Sequence, residues 1–192
     1  MVDHFFSNDE TFCFRYIEEY CSPEVAGEKL ILFQDDDTVV IEKDFEKFVR
    51  KPERRDKNIP YCLGSWTVAN APIIRPDSKK FSPEEVQKWS VTEEVYPKPF
   101  YPPYCSGTCY AISSIYARTI AQTASVTNPQ GFHHDDVLFT GILRVKADID
   151  VPKKVNGICR HYNQKTKIKD IQNAVLQYCK KNNIGETLCI IK

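Results

Sequence analysis

The sequence predicts an α/β fold, and three observations carry that prediction. Short apolar runs of strand length, such as "KLILF" and "YCLGSWTVA", are bounded by polar clusters. Stretches with helical spacing of apolar residues fall between and after them. No internal repeat occurs, and no linker is long enough to divide the 192 residues, so a single domain spanning 1–192 is expected.

The elements follow in chain order. "SNDE" opens a first helix, because Ser7 and Glu10 have capping-box spacing and Phe12, Tyr16, Ile17 and Tyr20 then share one face. "KLILF" reads as a buried strand, and "TVVI" as a second extended piece. A short helix over 44–50 would bury Phe45, Phe48 and Val49. Residues 61–69 read as one strand. "SPEEVQKW" has Ser82 as N-cap, Pro83 at the first helical position and Glu85 to complete a capping box. Four prolines between Tyr96 and Tyr104 demand an ordered loop. Helices are expected over 113–124 and over 135–147, the latter burying a face of Val137, Leu138, Gly141, Ile142 and Val145. Ile168, Ile171, Val175 and Tyr178 mark a last helix.

Formal net charge is zero, so nothing in the whole-chain balance points to nucleic acid. Charge is uneven along the chain: residues 1–50 hold thirteen acidic and five basic side chains, residues 151–192 two acidic and nine basic. A solvated basic helix face is the simpler account of that basic end, and a phosphorylated ligand the functional one. Eight cysteines suit disulfides in an oxidising compartment, with scattered free thiols in a cytosolic protein as the alternative. The absence of any C-x-x-C pair argues against a zinc ribbon or a thioredoxin-type site. Neither a signal peptide nor a bilayer-spanning run is present, which beside that cysteine content predicts further chain upstream.

Chemistry concentrates in "FQDDDTVV", where Asp35, Asp36 and Asp37 follow an apolar run. Carboxylates this close repel one another, so a divalent cation among them is the natural expectation. Two reactions use an Asp-x-Asp behind a strand. In nucleotide-sugar transfer the metal neutralises a diphosphate leaving group. In phosphoryl transfer of the haloacid-dehalogenase kind Asp35 would be the nucleophile, although Gln34 interrupts the apolar run that pattern requires. A polar loop whose aspartates merely cap the next segment is the third possibility. "YPPYCSGTCY", 101–110, offers tyrosine faces and a Ser-Gly that lets a ligand approach the backbone. It could equally be an ordered turn packed on the core. In "HHDDVLFTG", 133–141, Asp135 or Asp136 could cap a helix or serve as a general base. His161 is a lone histidine among basic neighbours.

In this order, "QDDDTVVI" (34–41), "KWSVTEEVYPKPFYPPYCSGTCYAIS" (88–113) and "DDVLFTGIL" (135–143) resemble the β-1,3-galactosyltransferase family, glycosyltransferase family thirty-one, which includes the fringe-type enzymes. The resemblance runs from about Asp3 to about His161. It implies a GT-A-like fold with a mixed central sheet flanked by helices. It also implies an inverting β-1,3 transfer of galactose or an N-acetylhexosamine from a UDP-sugar to a glycan acceptor, with Mn²⁺ or Mg²⁺. The setting would be the Golgi lumen, as a type II membrane protein whose anchor lies outside this chain.

By the same resemblance Asp136 falls on the catalytic base, Asp35 and Asp36 on the nucleotide motif, and Asp37 and His161 on metal ligands. Trp89, Tyr104, Ser106, Gly107 and Asp135 would line the sugar and acceptor pocket. Two departures stand out. Cys109 occupies a position where the family commonly has glycine, which is expected to change the loop's backbone or its disulfide state. Asp135 stands where many members carry Glu, and that shorter reach is expected to alter acceptor choice. Because "DHFF" (3–6) resembles a segment inside the family's catalytic domain, the first nucleotide-binding strand–helix units are expected upstream. A non-catalytic relative that binds sugar or assists another transferase is the corresponding alternative.

Overall fold

A computed structural model describes residues 30–35, 38–51, 58–64, 67–127 and 131–161, together with positions 177 and 181. The expected "SNDE" helix and the expected last helix lie outside the described residues, as do Asp36 and Asp37.

The architecture is mixed α/β. Strands β1 (Leu30–Gln34) and β2 (Thr38–Val40) precede helix α1 (Glu42–Val49). Then come β3 (Tyr61–Cys62), β4 (Thr67–Val68) and α2 (Pro83–Trp89). β5 (Tyr104–Cys105), β6 (Cys109–Ser113) and α3 (Ser114–Thr127) follow. A last described helix, α4, comprises an α segment (Asp135–Val137), a π segment (Leu138–Ile142) and a further α segment (Leu143–Lys146). β7 (Lys153–Lys154) and β8 (Cys159–His161) complete it.

The main sheet has the order β1-β6-β3-β7 and is mixed, with β6 antiparallel to both β1 and β3 and β7 parallel to β3. Strand alternation then sorts the apolar side chains onto two faces. Ile31, Phe33, Cys62, Tyr110 and Ile112 pack with Tyr116, Ile120, Val137 and Leu138 from α3 and α4. Leu30, Leu32, Tyr61, Leu63 and Ala111 pack with Phe45 and Phe48 from α1. Both faces of the sheet are therefore covered, and β6 is buried along its whole length. Phe33 stacks on its register partner Tyr110, with ring centroids 5.0 Å apart.

Helix α2 forms as its sequence requires. Ser82 Oγ accepts from the Glu85 N–H at 3.2 Å, and the Glu85 carboxylate accepts from the Ser82 N–H at 2.9 Å. Elsewhere the expectations need correction. Residues 61–69 are not one strand: β3 and β4 belong to different sheets. The N–H groups of Leu63 and Gly64 both donate to the Cys109 carbonyl, so the ladder breaks where the chain leaves the main sheet. The proline-rich loop ends in a strand, β5, which pairs with β4. Val145, expected on the buried face of its helix, is 47% exposed, whereas Arg144 is only 3% exposed. The π segment adds one residue to the turn, as the Leu143 N–H bonding to Leu138 O attests, and this rotates everything after it.

Candidate active site

Of the acidic triplet, Asp35 is described. The Thr38 N–H donates to the Asp35 carbonyl at 3.1 Å. The Asp35 N–H donates in turn to the Thr108 carbonyl at 3.2 Å. Asp35 is thereby tied to the Ser-Gly-Thr loop, 106–108. Past it, β2 pairs with β8 in a register that sets Thr38 opposite His161. His161 is exposed at the end of β8.

Asp136 meets the same loop from the other side. Its Oδ2 accepts from the Gly107 N–H at 2.8 Å and its Oδ1 from the Val137 N–H at 2.7 Å. Burial lifts its pKa to about 6; the two backbone donors oppose that rise, while the negative charges of Asp135 and Asp35 add to it. The Asp35 carboxylate is thus close enough to be felt at Asp136. A Cβ built on Gly107 would sit 3.6 Å from the Asp136 carboxylate, in ordinary contact. Glycine here permits approach but is not sterically compelled.

The π segment of α4 supplies the anchoring that holds Asp136 in place. Thr140, fully buried, accepts from the Cys105 N–H at 2.9 Å through Oγ1 and donates to the Asp136 carbonyl at 2.6 Å. Two carbonyls of the widened turn take side-chain donors: Phe139 O accepts from the Tyr116 hydroxyl at 2.7 Å, and Thr140 O from Arg144 Nε at 3.0 Å. Arg144 also donates to Ile149 O at 2.7 Å and to Pro103 O at 3.3 Å. The buried guanidinium therefore pins the proline loop to the helix that carries Asp136. Gly141 lets them meet, for a Cβ there would stand 3.1 Å from Tyr104 Cβ and 3.4 Å from Pro102 Cγ.

Aromatic side chains wall the Asp136 end. Trp89, 45% exposed, stacks on His134 with centroids 5.4 Å apart, and Lys88 Nζ lies 4.4 Å over its ring. His134 is buried and its Nε2 lies 3.1 Å from the Trp89 carbonyl. Burial, helped by His133, lowers its pKa to about 4, so near neutrality it is an uncharged donor to that carbonyl and serves packing rather than proton transfer. Tyr104 is half-buried, with its hydroxyl pushed up to about 12 by burial and then by Asp136. Tyr101 packs edge-on against both Tyr104 and Phe132. A cavity of about 500 Å³ lies across α4, bounded by Tyr96, Phe132, Leu138 and Ile142, and Asp136 does not line it.

Of the residues singled out in the sequence, Asp35, Gly107 and Asp136 are brought together through one loop, with Asp135 beside them. Tyr104 lies near Asp136, and Trp89 joins through His134. Ser106 turns to Thr108, with hydroxyl oxygens 3.1 Å apart. Among the described residues no three acidic, histidine or cysteine side chains cluster as a metal site; Asp36 and Asp37 are outside that set. Nothing in the residue pattern singles out Thr140 or Arg144, because an interior threonine and a helix-end arginine look ordinary in any helix. Cys109 pairs with Cys159, and Cys62 with Cys105. The residue that departs from glycine thus links the start of β6 to β8, beside the loop that meets Asp136.

Comparison with known families gives one match, to the model described as Galactosyltransferase, over residues 10–155. No curated protein matches the chain.

Proposed function

The chain belongs to the galactosyltransferase family, and we propose that it is an inverting, metal-dependent transferase that moves a hexose from a UDP-sugar to a glycan acceptor in β-1,3 linkage. Membership carries the GT-A-like class and glycosyl transfer from a nucleotide sugar. It leaves the phosphatase alternative without support. The β-1,3 linkage, the uridine nucleotide, the hexose and the metal are our own extension.

The observation that carries this reading is the shared loop. The Thr108 carbonyl accepts from the Asp35 N–H, while the Gly107 N–H donates to the carboxylate of Asp136. This reading is supported by the fact that the first residue of the acidic motif and the proposed base bond to two consecutive residues. In the reaction the acceptor oxygen bonds to the anomeric carbon as the bond to the diphosphate breaks. The acceptor proton passes to Asp136, and the bonding pair leaves with the nucleotide. Burial makes Asp136 a stronger base than an exposed aspartate, yet leaves it mostly ionised at pH 7. Asp135 and Tyr104 would bind acceptor hydroxyls, and Trp89 offers an exposed face to a sugar ring.

The donor set suits Mn²⁺ or Mg²⁺: carboxylate oxygens from Asp35, Asp36 and Asp37, and an imidazole from His161 on the neighbouring strand. Asp37 and His161 are assigned as direct ligands. Such a cation neutralises the charge that develops on the leaving diphosphate. Two disulfides fit an oxidising lumen, for which we propose the Golgi. No helix among the described residues is long and apolar enough to cross a membrane, so attachment would depend on a segment other than these.

Calorimetric titration of UDP, with and without Mn²⁺, tests the proposal. Binding that requires Mn²⁺ and is lost in Asp37→Ala is expected. Absence of UDP binding in the presence of Mn²⁺ would refute it.

A further inference from the structure

The Ser-Gly-Thr loop runs between two half-cystines. Cys105 is bonded to Cys62 of β3 and Cys109 to Cys159 of β8, and all four are buried. The first end of the loop is held redundantly: β5 pairs with β4, the Cys105 N–H donates to Thr140, and the bridge reaches β3. At the second end Cys109 lies in β6 opposite Gln34, and its carbonyl accepts from the N–H groups of Leu63 and Gly64. β2 and β8 form a separate two-stranded ribbon. That ribbon meets the main sheet through the Cys159 N–H, which donates to the Leu63 carbonyl at 3.2 Å, and through the Cys109–Cys159 bridge. Val40 stands opposite Cys159, and His161 ends the strand two residues on.

The bridge therefore starts beside Thr108, whose carbonyl takes the Asp35 N–H, and ends on the strand that carries His161. A single backbone hydrogen bond is a weak tie between two elements. A covalent bond does not open, and it denies the ribbon and the loop the freedom to slide apart. Resting on the transferase reading, we infer that the Cys109–Cys159 bridge is a positioning pair: it holds the ribbon with His161 against the loop that bonds Asp35 and Asp136, and so presets the nucleotide-binding side of the site. Buried as it is, the bridge acts through these neighbours and not by touching substrate. What it contributes is order that binding would otherwise have to supply. Asp136 has its own supports in Thr140 and the Cys62–Cys105 end of the loop, so the chemical step depends on this bridge less than nucleotide binding does.

The test compares the wild-type chain with Cys109→Ala, Cys159→Ala and the double variant, each held well below its melting temperature. Peptide mapping without reductant should yield a Cys109–Cys159 cross-linked peptide from the wild type, and its absence overturns the inference. Amide hydrogen exchange without metal or nucleotide should quicken over 38–41 and 158–161 in the variants, while 110–113 stays protected. UDP affinity at saturating Mn²⁺ should fall about tenfold, by the same factor in each single variant and in the double. kcat at saturating donor and acceptor should change less than about threefold. Unchanged exchange or unchanged UDP affinity overturns the inference while leaving the transferase reading intact, since the bridge would then only stabilise the fold. Losses that add up in the double variant overturn it too, because the two cysteines would be acting separately. A kcat that falls as far as the affinity overturns the assignment to the nucleotide side. Variants that do not fold overturn it as well, the bridge being then structural. A wild-type chain that binds no UDP with Mn²⁺ present sinks both the inference and the reading beneath it.

Discussion

Lowering the pH from 7 to 5 should slow transfer by about tenfold through one group, Asp136. Its pKa of about 6 reflects burial at the start of α4, partly countered by the donors from Gly107 and Val137. A base must be ionised to accept the acceptor's proton. One pH unit above that pKa roughly ten in eleven molecules carry the carboxylate, and one unit below roughly one in eleven does. The rate therefore rises with pH through about 6 and levels off above it, the direction expected of a base. The quantity to measure is kcat/KM for the acceptor at saturating UDP-hexose and Mn²⁺, from pH 5 to 8. Circular dichroism and UDP binding at each pH separate ionisation from unfolding or donor loss. Asp136→Asn should lower kcat on the order of a hundred- to a thousandfold at pH 7 and above, by about tenfold less at pH 5, while leaving UDP affinity unchanged. A rate that is level between pH 5 and 7, or an Asp136→Asn protein with near-normal turnover, would refute the assignment.

Two further predictions concern the supports of that carboxylate. Thr140→Val leaves both the Cys105 N–H and the Asp136 carbonyl without their side-chain partner and should cost about 2–4 kcal/mol in denaturant unfolding, with Thr140→Ser losing less than half as much. Equal stability of the two variants would remove this bridge from the account. Gly141→Ala pits a helix-propensity gain of about 1 kcal/mol against overpacking worth about 1–3 kcal/mol. The crowded atoms, Tyr104 Cβ and Pro102 Cγ, are close to backbone and yield little, so a net loss near 1 kcal/mol is expected, along with weaker acceptor binding. A more stable Gly141→Ala protein would show that the proline loop can retreat.

The parts of this molecule that were legible in its sequence are those settled locally. The α2 capping box needs only Ser82, Pro83 and Glu85, and it forms as written. β1 and α3 follow from apolar runs long enough to show a period. What escaped depends on partners far along the chain. β6 is a five-residue run that becomes a central strand only because β1 and β3 flank it. β8 reads Cys-Arg-His, polar at two of its three positions, and is a strand only because β2 lies beside it. Cysteine pairing was closed in principle, since eight cysteines admit about a hundred arrangements. Arg144 took the inward position meant for Val145 because periodicity arguments assume 3.6 residues per turn, and the π segment breaks that assumption. At Asp136 the residues alone could not separate a helix cap from a base. The donor that its carboxylate meets outside the helix is Gly107, twenty-nine positions away.

That distant donor makes the proton affinity of Asp136 a report on where the Ser-Gly strap lies. The strap acts on it in two opposed ways: the Gly107 N–H stabilises the ionised form, while the burial of the carboxylate, the larger influence, favours the protonated one. Admitting water beneath the strap would remove both, and because burial outweighs the single donor, the carboxylate would then release its proton more readily than it does in the closed arrangement.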